Sequence, residues 1–302
     1  MKPRVAISLG DPLGIGGEVV AKALATPGLT DALEPVVFGD QALLSPPYVL
    51  TLDDKEAARQ AATALHKATD AVMAGEVQAL CTAPLNKAAL MAIDGGPFMG
   101  QTGYLAYRCK GSPLMVFVGP SLRVALLTVH VPIAEVSKLL ASIGVGGIAR
   151  RLGMLADGLK RDLGIASPRL ALLGLNPHAG EKGMMGGEEK QLLFPAVDEA
   201  RAAGVQVEGP FSSDGLFSQV AAGEASYDGI MACYHDQGLV GFKALAPRGA
   251  AQMSMGLSVV RASCQHGTAR DIAGQDRADP SSMVAALRLA AEVARRRAQA
   301  EA

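Results

Sequence analysis

The chain has 302 residues, 49% hydrophobic and 19% charged, with 28 Lys and Arg against 29 Asp and Glu for a formal net charge of -1. That length allows one large α/β domain or two ordinary ones, and the apolar share is too high for a disordered chain. The balanced charge leaves no net field for a nucleic-acid backbone, and seven Phe, five Tyr and no Trp make a poor base-stacking platform.

In chain order, Val5–Leu9 reads as a first strand, since the stretch is too short and too soon broken by Gly-Asp-Pro for a signal peptide. Gly10-Asp-Pro-Leu-Gly-Ile-Gly-Gly-Glu18 then opens a helix near Val19–Ala25. Strand, glycine turn and helix start can bind an anion, but the spacing is neither a dinucleotide fingerprint nor a Walker A loop, and a tight turn explains it as well. Further strands are expected at Val36–Phe38, Val77–Cys81, Leu114–Val118, Val124–Val129, Leu170–Leu175 and Gly229–Tyr234. Helices are expected at Lys55–Ala74, Ala134–Leu155, more weakly Gly187–Gly204, and finally Ser281–Ala302. Continuous apolar strands alternating with helices predict a mostly parallel sheet in an α/β fold. Two glycine-punctuated stretches, Phe98–Gln101 and Cys264–Gly274, are candidate crossings between two lobes. Cys81, Cys109, Cys233 and Cys264 lie far apart with no C-x-x-C pair, as in reduced cytosolic thiols. No uncharged apolar run approaches the ~18 residues of a membrane span. A soluble, cytoplasmic protein is the expectation.

Three of the five histidines share one context. His130, His178 and His235 each follow a buried-type strand, and the carboxyl ends of parallel strands line ligand crevices. Three neutral imidazoles would leave a divalent metal with open positions, as catalysis needs, although each could instead serve only a polar loop. Asp236, beside His235, could orient that ring, accept a proton or simply cap a helix. Lys243 and Arg261 could grip an anion, or be solvated surface groups.

Taken together, the motifs resemble the 4-hydroxythreonine-4-phosphate dehydrogenase family of pyridoxal 5′-phosphate biosynthesis. They are Gly-Asp-Pro-Leu-Gly-Ile-Gly (10–16), Thr-Ala-Pro-Leu-Asn-Lys (82–87), Thr-Val-His-Val-Pro (128–132) and Leu-Asn-Pro-His-Ala-Gly-Glu (175–181). Gly-Gly-Glu-Glu (186–189), Tyr-His-Asp-Gln-Gly-Leu (234–239) and His-Gly-Thr-Ala-Arg-Asp-Ile-Ala-Gly (266–274) follow in the same order. The resemblance implies two α/β/α lobes of the isocitrate/isopropylmalate dehydrogenase type, with the active site in the interlobe cleft at the interface of a homodimer. The first lobe would hold residues 1–103 and 270–302, and the second, 104–269, would carry the metal histidines and the dimer interface. It assigns His130, His178 and His235 to one divalent metal ion (Zn, Co, Mg or Ni), with NAD or NADP as cofactor. Asp214 and Asp236 become the catalytic pair, and Gln101, Thr102, Lys243, Gln252 and Arg261 the contacts to a small anionic substrate. The implied reaction oxidises and decarboxylates 4-phosphohydroxy-L-threonine to 3-amino-2-oxopropyl phosphate and CO2.

The chain departs from the family pattern at three positions. Gln101 stands for the usual His, Gln252 for Asn and Gln265 for Asp. These changes keep open a phosphorylated four-carbon sugar acid (4-phospho-erythronate or 4-phospho-threonate) and, with Leu245-Ala-Pro-Arg-Gly-Ala, an aromatic cis-dihydrodiol dicarboxylate. A three-histidine hydrolase and a non-catalytic metabolite-binding protein remain as readings from other classes.

Overall fold

Short apolar strands alternate with longer helices throughout, and in the computed structural model, which describes residues 2–86, 91 and 100–300, they build a mixed α/β fold. The chain divides into two units, Met1–Pro113 with Arg248–Ala302, and Leu114–Pro247.

In the first unit, strands β1 (Arg4–Ser8), β2 (Glu34–Phe38), β3 (Ala79–Thr82), β9 (Ala251–Met255) and β10 (Arg261–Ser263) stand in the order β2-β1-β3-β10-β9. All neighbours are parallel except β9, which runs against β10. The helix Asp54–Met73 starts where the Asp53 carboxylate accepts from Glu56 N at 2.8 Å, capping a free amide. Its small apolar face, Ala62, Leu65, Ala68 and Val72, packs with Ala6, Leu80, Tyr104, Leu105 and Leu257. Fully buried Glu18 accepts from Lys22 Nζ at 2.8 Å and from Ala278 N at 2.6 Å, tying the helix Gly16–Leu24 to the start of the C-terminal helix Ser281–Ala300.

In the second unit, β4 (Leu114–Val118), β5 (Arg123–Leu126), β6 (Leu170–Leu173), β7 (Val207–Phe211) and β8 (Gly229–Ala232) stand in the order β4-β5-β8-β6-β7. Here β4 opposes β5, and the other pairs are parallel. The expected helix from Ala134 is longer than its pattern suggested: it spans Val136–Leu163, breaks at Gly144 (φ 68°, ψ 172°) and ends on left-handed Gly164. The segment Ile133–Leu163 is long and apolar enough to cross a membrane by length and composition. Its Ile148, Leu152, Leu155 and Leu159 are instead buried in the core of this unit. Leu155 and Leu159 close on β8 so tightly that a Cβ at Gly229 would lie 3.1 and 3.0 Å from their methyls.

The sequence pattern missed three strands, each for a local reason. β7 reads Val-Glu-Gly-Pro-Phe, with two residues that normally argue against a strand; β9, Ala-Gln-Met-Ser-Met, has no β-branched residue; β10 is three residues long. Neither glycine-rich stretch is where the chain changes unit. It passes at Pro113 and Pro247, so residues 104–113 and 248–269, expected in the second lobe, belong to the first unit. Tyr104 and Leu105 are core residues there, and β9 and β10 extend its strands. Phe98, Met99 and Lys87, which fall in expected motifs, lie outside the described residues.

Leu159→Ala removes a fully buried side chain from the contact with β8 and is expected to cost ~2–5 kcal/mol, read as a lowered midpoint in urea unfolding.

Candidate active site

Three adjacent parallel strands of the second unit, β5, β8 and β6, are followed within a few residues by His130, His235 and His178. The peptide of Cys233 sets the edge where they emerge. Its carbonyl accepts from Thr128 N at 3.1 Å and Thr128 Oγ1 at 2.8 Å, joining the end of β5 to that of β8. Its N–H donates to Gln237 Oε1 at 2.7 Å, and Gln237 Nε2 donates to Gly174 O at 2.5 Å, joining β8 to β6. His235 therefore starts the helix His235–Leu245 at a fixed place, and its ring centroid lies 5.7 Å from that of His130. Asp236 Oδ1 sits 2.6 Å from His235 Nδ1. A carboxylate on Nδ1 favours the tautomer whose Nε2 lone pair can bind a cation.

His178 is delivered differently. Residues 178–182 all have left-handed backbone, with φ of 52°, 50°, 78°, 38° and 57°. Only one of the five is glycine, and the others carry ~1–2 kcal/mol of strain apiece. The buried Glu189 carboxylate holds the turn by accepting from Asn176 N at 2.7 Å and Asn176 Nδ2 at 2.9 Å. Glu188 accepts from Asn176 Nδ2 at 2.9 Å and Ser137 Oγ at 2.7 Å, and these bonds hold its carboxyl below the usual carboxylate range. At Gly180 a Cβ would fall 2.6 Å from Glu189 Oε2, so only glycine permits the approach.

Asp214 opens the helix Ser213–Ala222 after β7, the next strand along. The Ser212 hydroxyl and the Gly215 amide keep its exposed carboxyl ionised to lower pH than usual, with His178 adding in the same direction. Phe217 of that helix lies over Gly241, where a Cβ would meet the ring at 2.7 Å, which fixes the Asp214 helix against the His235 helix. Lys243 is exposed, on the face of its helix that also carries Asp236 and Val240.

The unit thus brings His130 and His235 together and places Asp236 on the latter. His178 stays on its own turn, and among the described residues no group of three His, Cys, Asp or Glu is gathered around one point. The paired imidazoles are a donor type suited to Zn, Co or Ni and could supply two ligands to such an ion.

The other expected contacts meet in the first unit around Arg261, which is 3% exposed. Its Nη1 donates to Gln252 Oε1 at 2.5 Å, Ser254 Oγ at 3.2 Å and Thr102 Oγ1 at 3.3 Å; its Nη2 donates to Thr82 Oγ1 at 2.9 Å and Gln101 Oε1 at 3.0 Å. Every one of these acceptors is neutral. No carboxylate among the described residues contacts the guanidinium, its Nε has no hydrogen-bond partner, and burial pulls its pKa down to about 10. An uncompensated buried cation costs several kcal/mol, which an arriving anion would recover. Thr82, Thr128 and Gln237 fall in motifs quoted from the sequence but were given no role there, and Ser254 was not singled out. The available signal was a polar residue within or just after an apolar strand.

The glycine turn at 10–17 is spent on packing. Asp11 N donates to Pro84 O at 2.9 Å, Ile15 N donates to Thr268 O at 2.9 Å, and a Cβ at Gly10 would lie 2.1 Å from Pro84 O. Arg270 reaches back to it through Asp11, Nε to Oδ2 at 2.9 Å. Close backbone approach accounts for these glycines.

The fold is that of a known class of dehydrogenase. An isocitrate dehydrogenase from Methylococcus capsulatus aligns over 94% of this chain and 83% of its own with a TM-score of 0.52 at 14% identity, a likeness of fold alone. The family model of pyridoxal phosphate biosynthetic protein PdxA matches residues 33–290. The 4-hydroxythreonine-4-phosphate dehydrogenase of Erythrobacter litoralis is 38% identical, covering 98% of each chain. The D-threonate 4-phosphate dehydrogenase of Cupriavidus necator is 37% identical, also over 98% of each. Among solved structures, a 4-hydroxythreonine-4-phosphate dehydrogenase from Klebsiella pneumoniae has a TM-score of 0.81 at 32% identity, covering 97% of this chain and 98% of its own. A terephthalate 1,2-cis-dihydrodiol dehydrogenase from Burkholderia xenovorans has a TM-score of 0.63 at 30% identity with the same coverage. The chain belongs to the PdxA family, and so to the oxidoreductases of pyridoxine biosynthesis.

Glu189→Leu should leave the Asn176 donors unsatisfied and release the left-handed turn. The expected outcome is a loss of ~2–4 kcal/mol together with faster amide exchange across residues 174–186 than elsewhere.

Proposed function

We propose that this chain is an NAD(P)-linked, metal-dependent dehydrogenase that oxidises and decarboxylates 4-phosphohydroxy-L-threonine, giving 3-amino-2-oxopropyl phosphate and CO2. The observation that carries the reading is the paired His130 and His235 at adjacent strand ends in a chain 38% identical to such an enzyme. His130, His178 and His235 would hold the metal, with a second copy of the chain in a cytoplasmic homodimer contributing part of the set. Exposed Ile133, Met184 and Val240 of the second unit, 74%, 81% and 71% accessible, offer apolar surface for that pairing.

When bound, the divalent ion supplies Lewis acidity that lowers the pKa of a substrate hydroxyl, and NAD or NADP supplies the hydride acceptor. The residues do the rest. Asp236 holds His235 by Nδ1 and keeps Oδ2 for a proton; Asp214, ionised well below neutrality, is the second candidate acceptor. Arg261 draws an anionic group into its cage of neutral groups, with the Thr102 hydroxyl beside it and Gln101 and Gln252 shaping the space, while Lys243 offers an exposed positive charge. Fixing the anion fixes which face of the substrate meets the hydride acceptor.

A second substrate reading rests on a specific observation. The two positions that depart from the family pattern, Gln101 and Gln252, both bind the Arg261 guanidinium. A changed shell on the anion-binding cation favours a related acid, either a phosphorylated four-carbon sugar acid or an aromatic cis-dihydrodiol dicarboxylate. Purified, metal-loaded protein should form NAD(P)H with one of these acids and release CO2. Turnover without any nicotinamide would point to hydrolysis instead, and silence with all of them to a binding protein. His178→Ala should lower both bound metal by elemental analysis and turnover, roughly a hundredfold or more. Full activity in a verified metal-free His178→Ala protein would overturn the reading.

A further inference from the structure

Gln101 lies in the first turn of the helix Gly100–Arg108, half-buried, with each end of its amide engaged. Its Nε2 donates to Ala83 O at 3.0 Å. Its Oε1 accepts from Thr82 Oγ1 at 2.7 Å and from Arg261 Nη2 at 3.0 Å. A hydroxyl and a guanidinium N–H converging on one oxygen, beside a buried cation with no counter-charge, make the donor arrangement that an anionic oxygen prefers. A neutral amide carbonyl fills that position less well than a carboxylate or phosphate oxygen would, because it leaves the cation uncompensated.

Gln252, on the other side of the guanidinium, is in a different situation. It is 5% exposed, and its Oε1 accepts from Ser263 Oγ at 2.7 Å as well as from Arg261 at 2.5 Å. It belongs to the strand β9 and is built into the wall of the cage. Gln101 is the member that can turn away, being less buried and attached by three separable hydrogen bonds.

We infer that the Gln101 side-chain carbonyl is a stand-in for the substrate's anionic oxygen, seated between Thr82 and Arg261, and that substrate binding displaces it. Gln101 is then a specificity residue: only a group charged enough to outbid an amide, and small enough for the space the side chain vacates, takes the seat. The inference rests on the reading of Arg261 as the anion site. It assigns Gln101 the opposite sign of effect from a residue that merely positions Arg261, since a stand-in competes with the ligand and a positioning residue assists it.

The test is the binding of inorganic phosphate, by calorimetry and thermal shift, to metal-loaded full-length wild type, Gln101→Ala, Gln101→Glu and Arg261→Gln, each checked for folding by circular dichroism. Gln101→Ala should bind phosphate about tenfold more tightly than wild type, the scale of one lost hydrogen bond to a charged group. Gln101→Glu carries its own anion into the seat and should lose the phosphate response while its melting temperature rises. Equal or weaker binding by Gln101→Ala, with binding abolished in Arg261→Gln, overturns the stand-in role and leaves the anion site intact. Undiminished binding by Arg261→Gln, or none by any of the proteins, overturns the anion site and the stand-in role with it.

Discussion

The second unit depends on how the peptide of Cys233 is satisfied. A parallel strand that stops at a sheet edge leaves polar backbone groups that its neighbours no longer pair, and a buried unpaired group is costly. Here Thr128 and Gln237 close the account, one on the carbonyl and the other on the N–H, and both carry the bond across to an adjacent strand end. The same bonds decide where His130 and His235 stand. Stability and site geometry are therefore not separable at this edge, because the groups that prevent fraying are those that hold the imidazoles 5.7 Å apart.

Arg261 is the corresponding constraint in the first unit, with the opposite balance. The Cys233 peptide is fully paired, whereas Arg261 is wrapped in neutral oxygens and remains electrostatically open. Burial acts on its neighbours too: the Cys264 thiol is pushed up to about 12 and that of Cys81 is also raised, so neither supplies a thiolate to balance the guanidinium near neutral pH. Under the proposed reading, an arriving anion would offset the cost of keeping that cation buried.

Much of this was legible in the sequence, and the limits have physical causes. Runs such as Val-Ala-Leu-Leu before His130 declare a buried strand because parallel sheets are apolar on both faces, and three such runs place their histidines after the adjacent strands β5, β8 and β6. The strand β7 was hidden by Gly-Pro, and β9 and β10 by composition and length, so the pairing that builds the Arg261 cage could not be seen. Nor does any local pattern encode a left-handed turn at 178–182. It exists because Glu189, several residues later and in another element, over-determines it. The glycine turn at 10–17 left an anion site and a tight turn both open in the sequence, and its Gly10 and Gly14 pack closely on the backbone of Pro84 and Thr268.

Relatives of near-equal identity bear names with different substrates: 4-hydroxythreonine 4-phosphate, D-threonate 4-phosphate and a terephthalate dihydrodiol. Within one fold, preference among such substrates is set by a few contacts. Those substrates share an oxidisable hydroxyl; the first two are four-carbon acids with the same phosphate and differ at C2, amine against hydroxyl, whereas the third carries two ring carboxylates. A catalytic edge common to all would leave the strand-end histidines unchanged and vary the side chains around the anion-binding cation. This chain has that distribution. Its three histidine motifs stand as the family has them, while Gln101 and Gln252, two of its three departures, both close on one guanidinium. Gln252, longer by a methylene than the asparagine it stands for, brings a carbonyl oxygen onto a cation that the shorter amide would leave more open. Under the proposed reading, substrate preference would be set at a cage whose walls come from β3, β9, β10 and the helix at Gly100, within one folding unit, and could change without disturbing the histidine edge.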